Sequence, residues 1–472
     1  MDAPVLKRLR AALGDRVDTS PAALDAARAD RSGHASPAPP LAVVHAESTG
    51  DVQAVLRIAH DTGTPVVVRG AGTGLAGASI AGDGEIVLST LRLRRVLEVR
   101  PDDLLAVVEP GILNAELDEA LAPHGLWWPP DPASRDISTV GGNIATGAGG
   151  LLCAKYGVVR DSVLALDLVL ADGRLLHLGH RSVKGVTGLD LTSLVIGSEG
   201  RLGVIVGATL KLRRIEPDTP CTVVATFPTV RDAARASAAV TASGAQPAIM
   251  ELMEARCVAA VHALLELAPP SASTAQLTIQ TDGRSAAVEA EQIATVLRRA
   301  GGAVAVTDDP VEGEELLRIR RSMHAAMARL GTTLIEDVSV PRSALPAMFD
   351  EIARIEQAYG IEIPTVAHAG DGNLHPNFIV QGPEVPERIW QAADDLFRAA
   401  LRLGGTLTGE HGIGTLKSRW LADELGEDQW ALQQEIVRVF DPRGILAPGR
   451  VFAPRPPGSA LPEPHPAEER HA

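Results

Sequence analysis

The fold turns on VVVRGAGTGLAG, the stretch from Val66 to Gly77. A β-branched run leads into Gly72-Thr73-Gly74-Leu75-Ala76-Gly77, which satisfies G-x-G-x-x-G. A dinucleotide-binding βαβ unit with that fingerprint needs a helix opening at the third glycine, so that a pyrophosphate rests on the helix N-terminus. It also needs an acidic residue about 20 positions on, at the end of the next strand. Here Gly77 runs into ASIAGDGEIVLST, which holds two more glycines and then a strand pattern. No room is left for the helix, and the nicotinamide reading fails on context. The loop keeps a physical role without it. Successive glycines let backbone N–H groups converge on an anion and let a phosphate come close. A tight turn between strands needs one or two glycines, and Gly70 to Gly77 holds four.

Upstream, LAVVHA reads as a strand. STGDVQAVLRIAHDTG reads as a helix that starts at Ser48 or Thr49, buries Val52, Val55, Leu56 and Ala59, and stops at Gly63. With the run before the glycine loop this makes a β-α-β unit. MDAPVLKRLRAALGDRV, at the N-terminus, reads as a short amphipathic helix and lacks the apolar centre of a signal peptide. Downstream come the strands EIVLST, RRVLEVR and LLAVVEPG, a helix in LNAELDEALAPHG, and the alternating hairpin DSVLALDLVLADGRLLHLG about Asp172-Gly173. Two more stretches share the glycine-rich character. PPDPASRDISTVGGNIATGAGG, residues 129–150, has almost no capacity for regular structure, and GLDLTSLVIGSEGRLGVIV, residues 188–206, sets Ser198-Glu199-Gly200 and Gly203 before a strand. Three such loops in one strand-rich domain suggest a long, multi-phosphate ligand gripped along its length.

RIEPDTP, residues 214–220, reads as a linker, and beyond it strands and helices alternate (CTVVATFP, VRDAARASAAVTASG, AIMELME). The expected organisation is an N-terminal helix and loop over 1–36, a ligand-gripping domain over 37–215, an α+β domain over 216–454 and a disordered tail over 455–472. Composition narrows the partners. A formal charge of −15, from 44 basic and 59 acidic residues, disfavours a nucleic-acid backbone or an anionic membrane. Three scattered cysteines without a C-x-x-C pair exclude a disulfide framework and an in-chain iron–sulfur cluster of the usual spacing. No stretch approaches the roughly 20 apolar residues of a membrane span, so a cytoplasmic, reduced protein is expected.

The second half carries its own chemistry. In TVAHAGDGNLHPNFIV, His368 and His375 are seven residues apart, but Gly370, Gly372 and Pro376 argue against a helix and for strand–turn–strand, with His375 and Asn377 on one side. TLTGEHGIGTLKSRW then places Glu410 and His411 on a glycine-flanked loop. Two histidines and a carboxylate on converging loops suit an open catalytic metal site; the competing reading makes them polar turn residues that satisfy backbone groups. In LLRIRRSMHAAMARL, Arg318, Arg320 and Arg321 offer a planar guanidinium to a carboxylate, or form a solvated basic helix face.

These residues resemble a known family. RGAGTGLAG, PPDPAS, GGNIATGAGG, KYG and GSEGRLGVI look like the PCMH-type, or vanillyl-alcohol-oxidase-type, FAD-binding domain. HAGDGNLHPN and GEHGIG resemble the C-terminal domain of FAD-linked D-2-hydroxyacid dehydrogenases, a group that includes D-lactate dehydrogenases and glycolate oxidase catalytic subunits. The resemblance runs from about residue 37 to 454. It implies an α+β fold: a two-lobed PCMH-type FAD-binding domain followed by an α+β, ferredoxin-like substrate domain.

For the cofactor, the resemblance implies that Arg69, Gly70, Ala71, Gly72, Thr73, Gly74, Leu75 and Gly77 hold the FAD pyrophosphate. Pro130, Asp131 and Ser134, with Gly141, Gly142 and Asn143, would line the ribityl and ring region. Ser198, Glu199, Gly203 and Val204 would contact the adenine half and nearby backbone. Relatives with covalent FAD carry a histidine in or beside the first loop and this chain has none there, so non-covalent FAD is expected. Gly147 stands where many relatives have Asn.

For the chemistry, His368, His375 and Glu410 match the ligands of a divalent metal, Zn²⁺ foremost, and His411 matches the general base. Asn377 would hydrogen-bond the substrate, and Arg318 or Arg320 would anchor its carboxylate. Relatives that take a dicarboxylate have a Lys where this chain has Ile335, which favours D-lactate or glycolate. No second redox centre is visible, so electrons pass to an iron–sulfur subunit, an electron-transfer flavoprotein, a cytochrome, a quinone or oxygen. An oxidase of another alcohol and a non-catalytic FAD subunit are the alternative functions. Retention of HAGDGNLHPN and GEHG argues against the second.

Overall fold

The computed structural model describes residues 4–216, 218–270, 274–382 and 385–452; the expected tail over 455–472 lies outside them. The helix read from STGDVQAVLRIAHDTG spans Thr49–Thr62. Ser48 caps it by accepting from Asp51 N–H, and Gly63 ends it in the left-handed region at φ 66°. Its apolar face, Val52, Val55, Leu56 and Ala59, is buried against the first sheet. The flanking strands Ala42–His45 and Val66–Arg69 run parallel but are not neighbours. Ile86–Ser89 lies between them and pairs with both, so Val43 and Val67 each face Val87. Parallel strands covered on both faces are apolar throughout, which is why no alternation marked these three in the sequence.

The second sheet of the N-terminal lobe is antiparallel, in the order Val96–Arg100, Leu105–Val108, Val204–Lys211, Val163–Val169, Leu175–Gly179. The expected hairpin is its last pair, turned at Gly173 with φ 82°. The run 129–150 differs from expectation, because Val140–Thr146 is a helix. Thr139 caps it through Gly142 N–H and Gly147 ends it at φ 73°. Glycine's poor helix propensity obscured both signals. The glycine is needed for packing, since a Cβ on Gly141 would overlap Pro110. The left-handed end also explains the Gly-for-Asn departure at 147, because those two residue types tolerate that conformation best.

The C-terminal lobe is built on an eight-stranded antiparallel sheet. Its main path is Ala303–Thr307, Cys221–Phe227, Ala275–Thr281, Ile249–Met253, Thr365–His368, Asn373–Val380 and Thr332–Ile335, with Val338–Ser339 also paired to Asn373–Val380. The helices Val230–Ala242, Ala286–Arg299, Leu345–Tyr359 and Glu387–Arg402 bury their apolar faces in the core over this sheet. The expected α+β alternation is therefore present.

The last described segment returns to the first lobe. Val66 N–H donates to Ile445 O at 2.8 Å and Ala447 N–H to Val66 O at 2.8 Å. Arg450, buried, ion-pairs with Glu85 and donates to Ile80 O. Arg450→Ala would strand the Glu85 charge and should destabilise the fold by about 3 kcal/mol, the order found when one partner of a buried pair is removed. The check is a lower urea midpoint at pH 7; an unchanged midpoint would count against this seam. Among the described residues no helix is long and apolar enough to cross a membrane.

Candidate active site

The three glycine-rich loops adjoin. Gly70 packs on the Thr139 side chain so closely that a Cβ there would collide with it, and a Cβ on Gly147 would sit 3.5 Å from Gly197. Gly197 N–H donates to Ile144 O at 3.0 Å, and Glu199 N–H donates to Ala145 O at 2.8 Å. Within the first loop the Arg69 guanidinium donates to Ala29 O and Ser79 O, folding over Gly72, which takes φ 69° beneath it. Gly74 O accepts from Arg31 N–H. In the second loop Asp131 accepts from Leu152 N–H at 3.0 Å, and burial pushes its carboxyl up to about 7. Ser134 O closes a turn by accepting from Ile137 and Ser138 N–H. Val204 opens a core strand opposite Val169, so its side chain is committed to packing, and Gly203 lies tight against Leu168. Asn143 is buried with its Nδ2 lacking any hydrogen-bond partner among the described residues. A cradle of small residues with an orphaned amide donor fits a phosphate-bearing ligand.

The histidines and Glu410 converge as well. Thr365–His368 and Asn373–Val380 are paired, giving the expected strand–turn–strand. Glu410 Oε1 lies 3.1 Å from His375 Nε2 and 3.6 Å from His368 Nε2. One donor atom from each of the three falls within 4.8 Å of the others. His411 joins them, its ring stacked on that of His375 with centroids 5.0 Å apart and planes at 13°. The cluster meets the flavin-type lobe directly: a Cβ on Gly149 of the second glycine loop would be 2.6 Å from Glu410 Oε2.

Electrostatics sorts the roles. Burial alone would lower the His368 pKa, but the Glu251 and Glu410 carboxylates hold it well above its ordinary value. Burial opposes ionisation of Glu410, yet His368 and His375 keep it well below the usual carboxylate range. For His411 burial wins and its pKa falls to about 4, leaving a neutral imidazole at pH 7. Two histidines, one carboxylate and a neutral base in one largely buried cluster form a donor set suited to a divalent ion.

Four supporting residues were not singled out in the sequence. Glu251 accepts from His368 Nδ1 at 2.7 Å and is itself paired with Arg320 at 2.7 Å. That arrangement turns His368 Nε2 toward Glu410, as carboxylates behind metal-binding histidines do. Asp337, fully buried, accepts from Glu410 N–H at 3.1 Å, His411 N–H at 2.9 Å and the Thr408 hydroxyl. His375 Nδ1, without a hydrogen-bond partner among the described residues, lies 4.0 Å from Asp337 Oδ1. Lys417 donates to Asp337 O and Leu407 O. The available signal was an acidic residue inside an apolar run, Glu251 in AIMELME and Glu336-Asp337 in LIEDVSVP; such charges are buried only with partners.

Three expected side chains sit elsewhere or are already committed. Arg318 is exposed and pairs with Glu315 on its own helix, Pro310–Arg321, whereas Arg320 on the next face of that helix is the buried one. The Asn377 amide donates to Pro364 O at 3.1 Å and His375 O at 2.8 Å, so its NH₂ fixes the backbone around His375. Both Glu199 oxygens are committed to the loop that follows His411, Oε1 accepting from Ile413 N–H at 2.7 Å and Oε2 from Gly414 N–H at 2.8 Å.

Comparison with known proteins places this architecture. Residues 216–451 match the family described as FAD linked oxidases, C-terminal domain, and residues 40–179 match the FAD binding domain. The chain belongs to the FAD-linked oxidases. The glycolate oxidase subunit GlcD of Bacillus subtilis is 38% identical to this oxidase over 421 residues, covering 88% of this chain and 89% of that protein. A D-lactate dehydrogenase of Archaeoglobus fulgidus is 36% identical over 411 residues, covering 87% and 90%. Among solved structures, p-cresol methylhydroxylase with substrate bound superposes with a TM-score of 0.77 at 17% identity, covering 95% of this chain and 96% of that one. That likeness supports the fold of this FAD-linked oxidase, the PCMH-type arrangement expected from its sequence.

Proposed function

We propose that this FAD-linked oxidase converts a small D-2-hydroxyacid, D-lactate or glycolate, to the 2-oxoacid, using non-covalent FAD and a divalent metal, Zn²⁺ foremost. The observation that carries the reading is the convergence of His368, His375 and Glu410 beside the neutral His411, against the glycine loop at Gly149. Bound FAD supplies a hydride acceptor, and a divalent ion held by His368, His375 and Glu410 supplies positive charge that lowers the pKa of the substrate hydroxyl.

The chain's own residues do the rest. His411, kept neutral by burial, takes the hydroxyl proton. Its stacking on His375 fixes the ring plane, and Asp337 fixes its backbone. The Glu251 and Glu410 carboxylates on either side of His368 favour positive charge there, the charge that a bound metal ion would supply. Arg320, rather than Arg318, is placed to compensate charge at the cluster through Glu251. Ile335 pairs directly with Asn377, and opposed residues share one face of a sheet. An aliphatic side chain there favours a substrate without a second carboxylate.

Two of the most similar relatives are named for glycolate and D-lactate, which supports this substrate class. A relative named as a subunit supports a partner as electron acceptor, an iron–sulfur subunit, a flavoprotein, a cytochrome or a quinone. The test is a panel of both enantiomers of 2-hydroxyacids with an artificial dye acceptor. D-lactate or glycolate should reduce the bound flavin, and L-lactate and dicarboxylate 2-hydroxyacids should not. Dialysis against a strong chelator should abolish that reduction while FAD stays bound, and added Zn²⁺ or Mn²⁺ should restore it. Full activity after chelation would remove the metal from the mechanism. A flavin that no 2-hydroxyacid reduces would favour another alcohol or a non-catalytic subunit.

A further inference from the structure

The loop that carries Glu410 and His411 is held from two sides, as its backbone donors show. Glu410 and His411 N–H reach Asp337, in their own lobe, and Gly412 N–H reaches Thr408. The next four donors all leave that lobe. Ile413 and Gly414 N–H go to the Glu199 carboxylate, and Thr415 and Leu416 N–H go to Ala76 O in the first glycine loop.

Glu199 itself is oddly placed for a residue with a side chain. It sits at φ 52°, in the left-handed region where glycine costs least, with glycines on the third loop at 197 and 200. The carboxylate is fully committed to two amides of a segment more than two hundred residues away in sequence. Gly412 leaves it room: a Cβ there would lie 3.0 Å from Glu199 Oε1. A side chain kept at a strained position, and spent wholly on another loop's backbone, points to a role carried by that contact.

We propose that Glu199 is a positioning residue for His411 and Glu410. Acting through the backbone of Ile413 and Gly414, it sets the acid–base loop against the flavin-type lobe. Asp337 fixes the near end of the loop within its own domain, and Glu199 fixes the far end to the domain that brings the flavin. Of the four backbone donors that cross between the lobes here, the first two, next to His411, are held by this one side chain, and the following two go to Ala76 O. This rests on the functional reading above, and deepens it by naming what registers the two halves of the site.

The test uses the full-length holoenzyme and two variants, Glu199→Gln and Glu199→Ala. The near-isosteric glutamine keeps one carbonyl acceptor and turns an NH₂ toward the other backbone donor; alanine keeps neither. Hydrogen exchange of the 409–416 segment, measured without substrate, should speed up in the order wild type, Gln, Ala. Anaerobic flavin reduction should slow by about tenfold in Gln and on the order of 10²-fold in Ala, the scale of a misplacement near 1 Å. KM should change far less than kcat, and FAD content, metal content and reoxidation of reduced flavin by dye should match wild type. A role in stability alone would lower the unfolding temperature and leave the reduction rate per bound flavin unchanged, and that result overturns the proposal. Loss of FAD from the Gln variant would assign Glu199 to the cofactor and also overturn it. If the Ala variant does not fold, Gln decides. A wild-type enzyme that no 2-hydroxyacid reduces sinks the functional reading instead, and the exchange data then judge the loop contact by themselves.

Discussion

His411→Asn should lower the rate of flavin reduction by the best 2-hydroxyacid by about 10²–10⁴-fold, the contribution typical of a positioned general base. FAD and metal contents should stay at wild-type levels. The expectation follows from how the residue is held. Its backbone N–H is anchored to Asp337 at 2.9 Å whatever the side chain, so the loop keeps its path when the imidazole is removed. The ring's own contacts are a stack on His375 and a 3.7 Å approach to Glu410, neither of which closes the metal trio. Asparagine fills part of the space but offers no basic nitrogen. Anaerobic rapid mixing reads the effect directly, because dye reoxidation then plays no part. A variant that reduces its flavin as fast as wild type would remove His411 from proton transfer.

Legibility from the sequence followed the range of the interaction. Ser48, Gly63, Asp172-Gly173 and the alternation of the two hairpin strands act within a few residues, so helix Thr49–Thr62 and hairpin Val163–Gly179 are legible directly. The G-x-G-x-x-G of the opening loop fails as a nicotinamide site for a local reason too: no helix follows Gly77, and the chain goes on to the strand Ile86–Ser89. What stayed hidden depends on contacts across the chain. Ile86–Ser89 inserts between two strands that are adjacent in order. Ile445 and Ala447 bond to Val66 of the first sheet from nearly 380 residues further along the chain.

The site divides in the same way. His368, His375, Glu410 and His411 sit in glycine-marked turns and announce themselves. Glu251, Asp337 and Glu199, which orient them, come from a strand, a link between two strands and a distant loop, and their role exists only after folding. Arg318 and Arg320 differ by two residues on one helix and point to different surroundings. Sequence gave both the same chemistry, and only the packing of Pro310–Arg321 separates them.

Glu410→Ala should have the larger effect, because it removes a charge as well as a ligand. Metal content by elemental analysis should fall to a small fraction of wild type, and turnover should drop on the order of 10³-fold or more. Losing several kcal/mol of charge stabilisation corresponds to that factor, at about 1.4 kcal/mol per tenfold. FAD should remain, since Glu410 meets the flavin lobe at the small Gly149. The His411→Asn and Glu410→Ala results together discriminate between two donor groupings. His375 belongs both to the trio with His368 and Glu410 and to one with Asp337 and His411. If His411→Asn keeps its metal and Glu410→Ala loses it, the ion lies on the first trio and His411 is free to act as the base. If His411→Asn loses the metal and Glu410→Ala keeps it, the ion belongs with Asp337, and the proton must go to another group. Asp337 favours the first outcome, because its Oδ2 already accepts from two backbone amides and a hydroxyl, and its Oδ1 accepts from Asn373. A carboxylate so fully engaged is built to hold the loop, while Glu410, with its Oε1 set between two imidazoles, is built to hold an ion.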